Sequence, residues 1–143
     1  MKIDICEVSP PAEAVITVSA TREQIDEILA ALSFVGETVA GRKENGTVIV
    51  PLASVYYFET VDERLFFYAE SETYECPARL KHIEERFAAL PFARVSKTVI
   101  ANLRLMRSIH PEKNGRLIAT MANGEKLVVN RHYVREIKRK LEV

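Results

Sequence analysis

The strongest constraint on the fold is a succession of short apolar runs, each rich in β-branched or aromatic residues and bounded by turn-forming residues. Thr47–Val50 follows an Asn-Gly pair, Val55–Glu59 holds three consecutive aromatic residues, and Leu65–Tyr68 follows an acidic turn. Runs of this length and composition are typical of strands and too short for the amphipathic helices of a bundle. The pattern predicts a mostly β fold with small helices, of the α+β class. Asn123-Gly124 predicts a further hairpin with a two-residue turn.

The first 41 residues follow a different pattern. A β-branched run at Ala14–Val18 precedes a predicted helix, in which Thr21 and Gln24 form a capping box. The helix carries an apolar face at helical spacing: Ile25, Ile28, Leu29 and Leu32. We interpret residues 1–41 as a β-α extension ahead of a domain at residues 42–143. The apolar face either packs within the chain or forms a dimer contact, and the sequence leaves both open.

The second half of the chain contains two predicted small helices. Their apolar faces are Leu80, Ile83 and Phe87 in the first, and Val134, Ile137 and Leu141 in the second. The second of these helices is predicted to begin near Arg131. Phe92–Thr98 shows little periodicity, so we predict a loop there.

Targeting signals and disulfides find no support in the sequence. No apolar run approaches the ~20 residues that a membrane span requires. The N-terminus also lacks the positive region and apolar stretch of a signal peptide. Cys6 and Cys76 are too far apart to indicate a disulfide framework or a ligand pair. We therefore expect a cytoplasmic protein without membrane insertion.

Catalytic chemistry has little support either. The chain has no Gly-rich phosphate loop, GxSxG, HExxH or CxxC motif. Its histidines do not share metal-ligand spacings with the cysteines. Glu59, Asp62 and Glu63 form either a metal or acid–base cluster or, as the simpler reading, a solvated hairpin tip. We expect neither an enzyme nor a bound metal or cofactor.

A formal net charge of zero conceals an uneven distribution. Residues 1–78 carry 5 Lys and Arg against 14 Asp and Glu, a net charge of −9, whereas residues 79–143 carry 15 against 6, a net charge of +9. The basic half favours a polyanionic partner. Folding could instead interleave the halves and pair their charges. The alternative function is a protein–protein interaction module, in which the acidic half docks on a basic surface and DNA has no role.

The basic residues of the second half fall in two groups. The first is Arg94, Lys97, Arg104 and Arg107, and the second is Arg131, Arg135, Lys138, Arg139 and Lys140. Cations beside phosphates release counterions and supply most non-specific DNA affinity, and donors on loops can reach base edges in the major groove. The cations of the final helix have an alternative role, because positive charge near a helix C-terminus stabilises the helix dipole.

The order of these segments resembles the LytTR family of DNA-binding domains. The resemblance rests on Val55-Tyr-Tyr-Phe-Glu-Thr, the helix at Leu80…Phe87, Phe92-Ala-Arg-Val-Ser-Lys-Thr-Val-Ile-Ala-Asn-Leu, and Asn123-Gly124…Leu127-Val-Val-Asn-Arg-His-Tyr. It covers roughly residues 42–143. It implies a compact, elongated set of short antiparallel strands that inserts loops into successive major grooves of double-stranded DNA. The expected function is that of a sequence-specific transcription regulator.

The resemblance also implies roles for single residues. Those expected to contact bases or groove edges are Arg64, Lys97 and Arg131. Those expected to support them through phosphate contacts are Arg94, Ser96 and Thr98. Asn102 is expected to tie a loop down, and Leu103 to lie in the core.

The N-terminal region differs from that of many family members, which carry an N-terminal receiver domain with a phosphorylatable aspartate. The first 40 residues show no acidic-pocket pattern, so the chain resembles the short stand-alone members and we expect no phosphorelay control. A homodimer would fit paired DNA sites, because linking two sites raises their effective concentration.

Overall fold

The computed structural model of the chain describes residues 9–10, 19–32 and 36–143. In these residues the helices are α1 (Arg22–Leu32), α2 (Leu80–Arg86) and α3 (Val134–Leu141). The strands are β1 (Thr38–Lys43), β2 (Gly46–Pro51), β3 (Tyr57–Val61), β4 (Arg64–Tyr68), β5 (Thr73–Cys76), β6 (Phe92–Arg94), β7 (Val99–Asn102), β8 (Met106–Pro111), β9 (Leu117–Met121) and β10 (Lys126–Val129). The predicted mostly β fold with small helices is confirmed. None of the described helices has the length and apolar character needed to cross a bilayer.

The chain divides into two units, Met1–Ala31 and Leu32–Val143. Helix α1 begins with the predicted capping box, because the Gln24 N–H donates to Thr21 Oγ1 at 3.3 Å and the Thr21 N–H donates to Gln24 Oε1 at 3.1 Å. The predicted strand at Ala14–Val18 lies outside the described residues. Strand β1 crosses residue 41, where the domain boundary was predicted, and that boundary stays a prediction. The role of the apolar face of α1 also stays a prediction.

Seven strands form one antiparallel sheet in the order β2-β1-β5-β4-β3-β7-β6. Successive side chains of a strand point to opposite faces. Phe58 of β3 and Ile100 of β7 therefore lie in one hydrophobic cluster, whereas their neighbours Tyr57 and Ala101 lie in another. Helix α2 packs on the first face, where the ring of Phe87, directly after the helix, lies 6.3 Å from that of Phe58.

Three further strands form a second antiparallel sheet, in the order β10-β9-β8. Its buried residues Ala119 and Met121 join the second cluster of the large sheet, and so does Ile137 of α3. The Tyr57 hydroxyl donates to Glu125 Oε1 at 2.7 Å and joins the large sheet to the turn between β9 and β10. The large sheet is therefore covered by α2 on one face and by the small sheet and α3 on the other.

The segment Phe92–Thr98, predicted to be a loop throughout, begins with a strand. Residues Phe92–Arg94 form β6 and pair with β7, so only Val95–Thr98 is a loop. Phe92 and Ala93 are both buried, in opposite clusters. A strand that is buried on both faces shows no alternation of polar and apolar residues, which is why the pattern concealed it.

The hairpin at Asn123-Gly124 is confirmed, but its predicted two-residue turn is wrong. Strands β9 and β10 are joined by four residues, because the Asn123 Oδ1 accepts the Glu125 N–H at 3.0 Å and extends the turn. The final helix also begins later than predicted. Residues Arg131–Tyr133 form one 3₁₀ turn, and α3 follows from Val134.

Candidate nucleic-acid interface

The turn between β6 and β7, Val95–Thr98, holds the predicted contact residue Lys97, and we call it the Lys97 loop. Val95 is buried, and its N–H donates to the Val99 carbonyl at 3.0 Å. The Thr98 N–H donates to Ser96 Oγ at 3.2 Å, which closes the loop internally. Lys97 is exposed, and its ammonium has no hydrogen-bond or ion-pair partner among the described residues. The loop therefore presents an unpaired cation on an ordered turn.

Arg94 stabilises the Lys97 loop through a hydrogen bond to its backbone. Its Nη1 donates to the Lys97 carbonyl at 2.6 Å, and its Nε donates to Glu84 Oε2 of α2 at 2.5 Å. The Arg94 side chain is only 20% exposed, against 48% for Glu84. The guanidinium that was expected to contact phosphate therefore already has two partners within the chain and links α2 to the backbone of the Lys97 loop, and its contact with phosphate stays a prediction.

The second predicted contact, Arg131, lies on the segment Asn130–Tyr133, which we call the Arg131 segment. The Asn130 N–H donates to the Val95 carbonyl at 2.8 Å, so this segment adjoins the Lys97 loop. Arg131 is exposed, and in the described part of the chain its guanidinium has no ion-pair partner. Two distant stretches of sequence thus present unpaired cations from one connected surface.

The hairpin of β3 and β4 adjoins the same surface, because the Thr60 N–H donates to the Thr98 carbonyl at 2.9 Å. Its turn, Asp62-Glu63, has positive φ at both residues, 50° and 64°. This is the geometry of a tight two-residue hairpin turn. The turn thus places two carboxylates beside the third predicted contact, Arg64.

Arg64 already has an anionic partner. Its Nη2 donates to Glu75 Oε2 at 2.6 Å and its Nε to Glu75 Oε1 at 3.2 Å, while Arg42 reaches the same carboxylate at 3.3 Å. The hydrogen bond from Arg64 holds the pKa of the Glu75 carboxyl below its usual range. Arg64 is still 60% exposed, so the pair lies in solvent and can exchange its partner. Unlike Lys97 and Arg131, Arg64 must leave a carboxylate before it contacts a phosphate or a base.

Helix α3 uses some of its cations internally. Lys140 donates to the carbonyls of Ala88, Leu90 and Phe92 at 3.1, 3.3 and 2.8 Å. Burial lowers the pKa of this amine. Arg139 donates to Glu136 within the same helix, with its Nε 2.9 Å from Oε2. Lys140 therefore fastens α3 to the segment that precedes the Lys97 loop.

The described ion pairs do not join the acidic half of the sequence to the basic half. In the described residues, every ion pair joins two members of the same half. Arg64 pairs with Glu75 in the first half, for example, and Arg94 with Glu84 in the second. Among the residues that the structure describes, no ion pair with the first half therefore reduces the positive excess of the second.

Two structural predictions near the interface are confirmed. Asn102 is fully buried, and its amide donates to the Val55 carbonyl at 2.9 Å while its Oδ1 accepts the Arg104 N–H at 3.0 Å. Leu103 lies in the core. Among the described residues, no group of three His, Cys, Asp or Glu side chains is arranged to hold a metal ion. Glu59, one of the three acidic residues considered for such a cluster, instead accepts the Tyr68 hydroxyl at 3.1 Å.

Sequence reasoning missed the turn between β8 and β9. Asn114 and Gly115 both have positive φ there, 67° and 76°, and place Arg116 beside the Arg131 segment. The Asn-Gly pair was the available signal, since such pairs mark tight turns. An open depression of about 510 Å³ lies there, and its lining includes Arg116, Arg131 and His132.

The fold and this surface define the class of the chain as a β-sheet domain with a loop-built basic surface. Residues 45–142 match the family model of the LytTr DNA-binding domain. The chain therefore belongs to the LytTR family, and the predicted resemblance is confirmed.

Known relatives share moderate similarity with the chain. A sensory transduction protein LytT from Enterococcus faecalis is 27% identical over 105 residues, which is 73% of this chain and 43% of that protein. A sensory transduction protein LytT from Bacillus cereus is 29% identical over 100 residues, 70% of this chain and 41% of that protein. The chain thus spans less than half the length of these relatives. A solved LytTr DNA-binding domain from Bacillus cereus has the same fold, with a TM-score of 0.70 at 24% identity over 74% of this chain and 97% of that one.

Proposed function

We propose that the chain is a sequence-specific transcription regulator that binds double-stranded DNA by inserting loops into successive major grooves. The observation that carries the proposal is the Asn130–Val95 hydrogen bond, which joins the Lys97 loop to the Arg131 segment. Membership of a family of DNA-binding domains supports the choice of DNA as the polyanion. The names of the relatives, which are sensory transduction proteins, support a regulatory role. A DNA partner is consistent with the cytoplasm as the proposed location.

Within this proposal Arg131 and Lys97 read the DNA. Arginine and lysine donors suit the O6 and N7 acceptors of guanine in the major groove. Both side chains are exposed and have no hydrogen-bond or ion-pair partner within the described chain, so neither loses such a partner on binding. Arg64 provides a third contact once it leaves Glu75.

The supporting residues act in different ways. Ser96 and Thr98 lie on the Lys97 loop, where their hydroxyls are 3.4 Å apart and suited to donate to a phosphate oxygen. Arg94 supports the interface through the loop backbone, because its Nε and Nη1 atoms are already directed to Glu84 and to the Lys97 carbonyl.

The test is a titration of the purified chain on a duplex from the promoter region of its own gene. A scrambled duplex of equal composition and a series of salt concentrations complete the measurement. We expect a steep loss of affinity with salt, since phosphate contacts release counterions. Arg131→Ala is expected to lower the preference for the promoter by about 1–3 kcal/mol, the contribution of one base contact. Lys97→Ala should weaken promoter binding in the same assay.

Arg22→Ala is the control, because Arg22 lies on α1, outside the residues that match the family, and its removal should leave the preference unchanged. Failure of the wild type to prefer the promoter over the scrambled duplex would contradict the proposal. The alternative of a protein–protein module predicts self-association that high salt dissolves, which light scattering measures on the same samples. Unchanged specific binding in both Lys97→Ala and Arg131→Ala would move the interface elsewhere.

A further inference from the structure

We propose that the turn between β8 and β9 forms, with Arg131, a binding site for a phosphodiester group of the DNA backbone. Arg116 is the principal ligand, and Gly115 is a positioning residue for Arg131. The inference rests on the proposed function and extends it, since this turn belongs to none of the three regions predicted to contact DNA.

The first observation is the composition of the depression beside the Arg131 segment. Its lining residues are Asn114, Arg116, Asn130, Arg131 and His132, two guanidinium groups together with two amides and an imidazole. These side chains offer many N–H donors, and guanidinium groups bind phosphate oxygens in a bidentate manner. Glu112 is the nearby carboxylate, and its Oε1 accepts from Arg116 Nη2 at 3.4 Å, which is a long contact.

The second observation concerns Arg116 itself. Its Nε is buried and is the one side-chain polar atom in the described chain that is buried without a hydrogen-bond partner. A buried donor without an acceptor is unfavourable, because it has lost its hydrogen bond to water and has no replacement. The Arg116 side chain as a whole is 43% exposed and lines the depression, so a small rotation of the guanidinium would let a phosphate oxygen supply the missing acceptor.

The third observation concerns the fit of Arg131 against Gly115. A Cβ placed on Gly115 would lie 3.1 Å from both Cγ and Cδ of Arg131, so the arginine stem rests on the bare backbone of the turn. The φ of Gly115 is +76°, which also disfavours any other residue. The turn thus sets the path of the Arg131 side chain and brings Arg116 beside it. A phosphate bound there would flank the base pair that Arg131 reads.

The test separates backbone contact from base contact. Arg116→Ala should weaken promoter and scrambled duplexes by the same factor, about eightfold at ~0.1 M salt, and reduce the salt slope by about 0.9, the value for one phosphate. Lys113→Ala is the matched control, because Lys113 lies in the same turn, is exposed and does not line the depression. An unchanged affinity and slope in Arg116→Ala, or equal changes in both variants, would overturn the site.

A methylphosphonate scan locates the phosphate. Neutral methylphosphonates are introduced one at a time into the promoter duplex, and each duplex is titrated with the wild type and with Arg116→Ala. At one position the substitution should weaken binding of the wild type but cause no further loss in Arg116→Ala. Additive losses at every position would refute a direct contact. Inorganic phosphate distinguishes the two sources of the anion: the Arg116 Nε resonance should shift with duplex at concentrations where inorganic phosphate has no effect. A shift that saturates with inorganic phosphate alone would make this a small-anion site and overturn the proposal.

The positioning role of Gly115 has its own control. Gly115→Ala should reduce the preference for the promoter as Arg131→Ala does, and the double variant should lose no more preference than Arg131→Ala. Gly124→Ala introduces a similar backbone strain at φ +86° but meets no atom within 4 Å, so its preference should equal that of the wild type. Equal effects of the two glycine substitutions would assign the change to strain and remove Gly115 from the site. If the wild type itself binds no duplex, the proposed function fails first, and that result is distinct from every outcome above.

Discussion

Glu84→Gln is predicted to weaken DNA binding although it removes a negative charge. Arg94 donates to both Glu84 Oε2 and the Lys97 carbonyl, so the carboxylate orients the guanidinium that holds the Lys97 loop. If Arg94 were instead a phosphate contact, loss of the competing carboxylate would strengthen binding. The two roles therefore predict changes of opposite sign.

The magnitude follows from the geometry of the Arg94–Glu84 contact. Hydrogen bonds to charged groups contribute about 1.5–3 kcal/mol, and neutral ones about 0.5–1.5 kcal/mol. Glu84 is 48% exposed, which favours the low end of both ranges. Replacing the carboxylate by an amide should therefore loosen the loop by about 1 kcal/mol, close to a fivefold loss of affinity. Arg94→Lys should lose more, about tenfold, because one ammonium cannot reproduce the two directed contacts of the guanidinium fork.

The assay is fluorescence anisotropy with the promoter duplex at two salt concentrations. Glu85→Gln is the matched control, since it removes the same charge from the adjacent exposed position of α2 and makes no ion pair within the described residues. That variant should bind slightly more tightly than the wild type. If Glu84→Gln binds as tightly as Glu85→Gln, and Arg94→Lys retains wild-type affinity, then Arg94 acts as a phosphate contact and the positioning argument is refuted.

Glu75→Gln should free Arg64 from its carboxylate and increase DNA affinity in the same anisotropy titration; unchanged affinity for both the promoter and the scrambled duplex would exclude Arg64 from the interface. Asn102→Leu should destabilise the fold by roughly 1–3 kcal/mol for each buried group left unpaired, measured by urea unfolding. Asn45→Ala, at an exposed turn, is expected to stay within about 0.5 kcal/mol of the wild type.

Much of the fold could be predicted because its strands are rich in β-branched and aromatic residues, and some of them alternate buried and less buried positions. In β4, for instance, Leu65 and Phe67 are buried whereas Phe66 is only partly so. Strand β6 could not be found in this way, since Phe92 and Ala93 are buried on opposite faces. The β9–β10 turn was misjudged for a different reason. The hydrogen bond from the Glu125 N–H to Asn123 Oδ1 sets the length of this turn, and the preference of Asn-Gly for two-residue turns takes no account of that bond.

The sequence proposed several residues of the candidate site but could not indicate how they are connected. Lys97 and Arg131 followed from the resemblance, yet their connection is a backbone hydrogen bond between Asn130 and Val95, which leaves no mark in side-chain identity. The contacts of Arg94 with Glu84 and the Lys97 carbonyl could not be predicted either, because an arginine near other cations looks the same in the sequence whether it binds a phosphate or a glutamate. The role of Arg116 depends on the left-handed turn before it, so its only signal was the Asn-Gly pair.

The separation of charge along the sequence would influence the orientation in which the proposed regulator approaches DNA. In the described residues the ion pairs stay within each half, so the cations of the Lys97 loop and the Arg131 segment are not paired with carboxylates of the first half. DNA would then orient the chain so that the Lys97 loop and the Arg131 segment approach first. Arg64 lies beside Asp62 and Glu63 and is paired with Glu75, so it would contact DNA last. It would do so only where the free energy of a correct base contact exceeds that of its ion pair with Glu75. The Glu75 pair would thereby favour the operator over random sequence, so Glu75→Gln should raise affinity for scrambled DNA more than for the promoter.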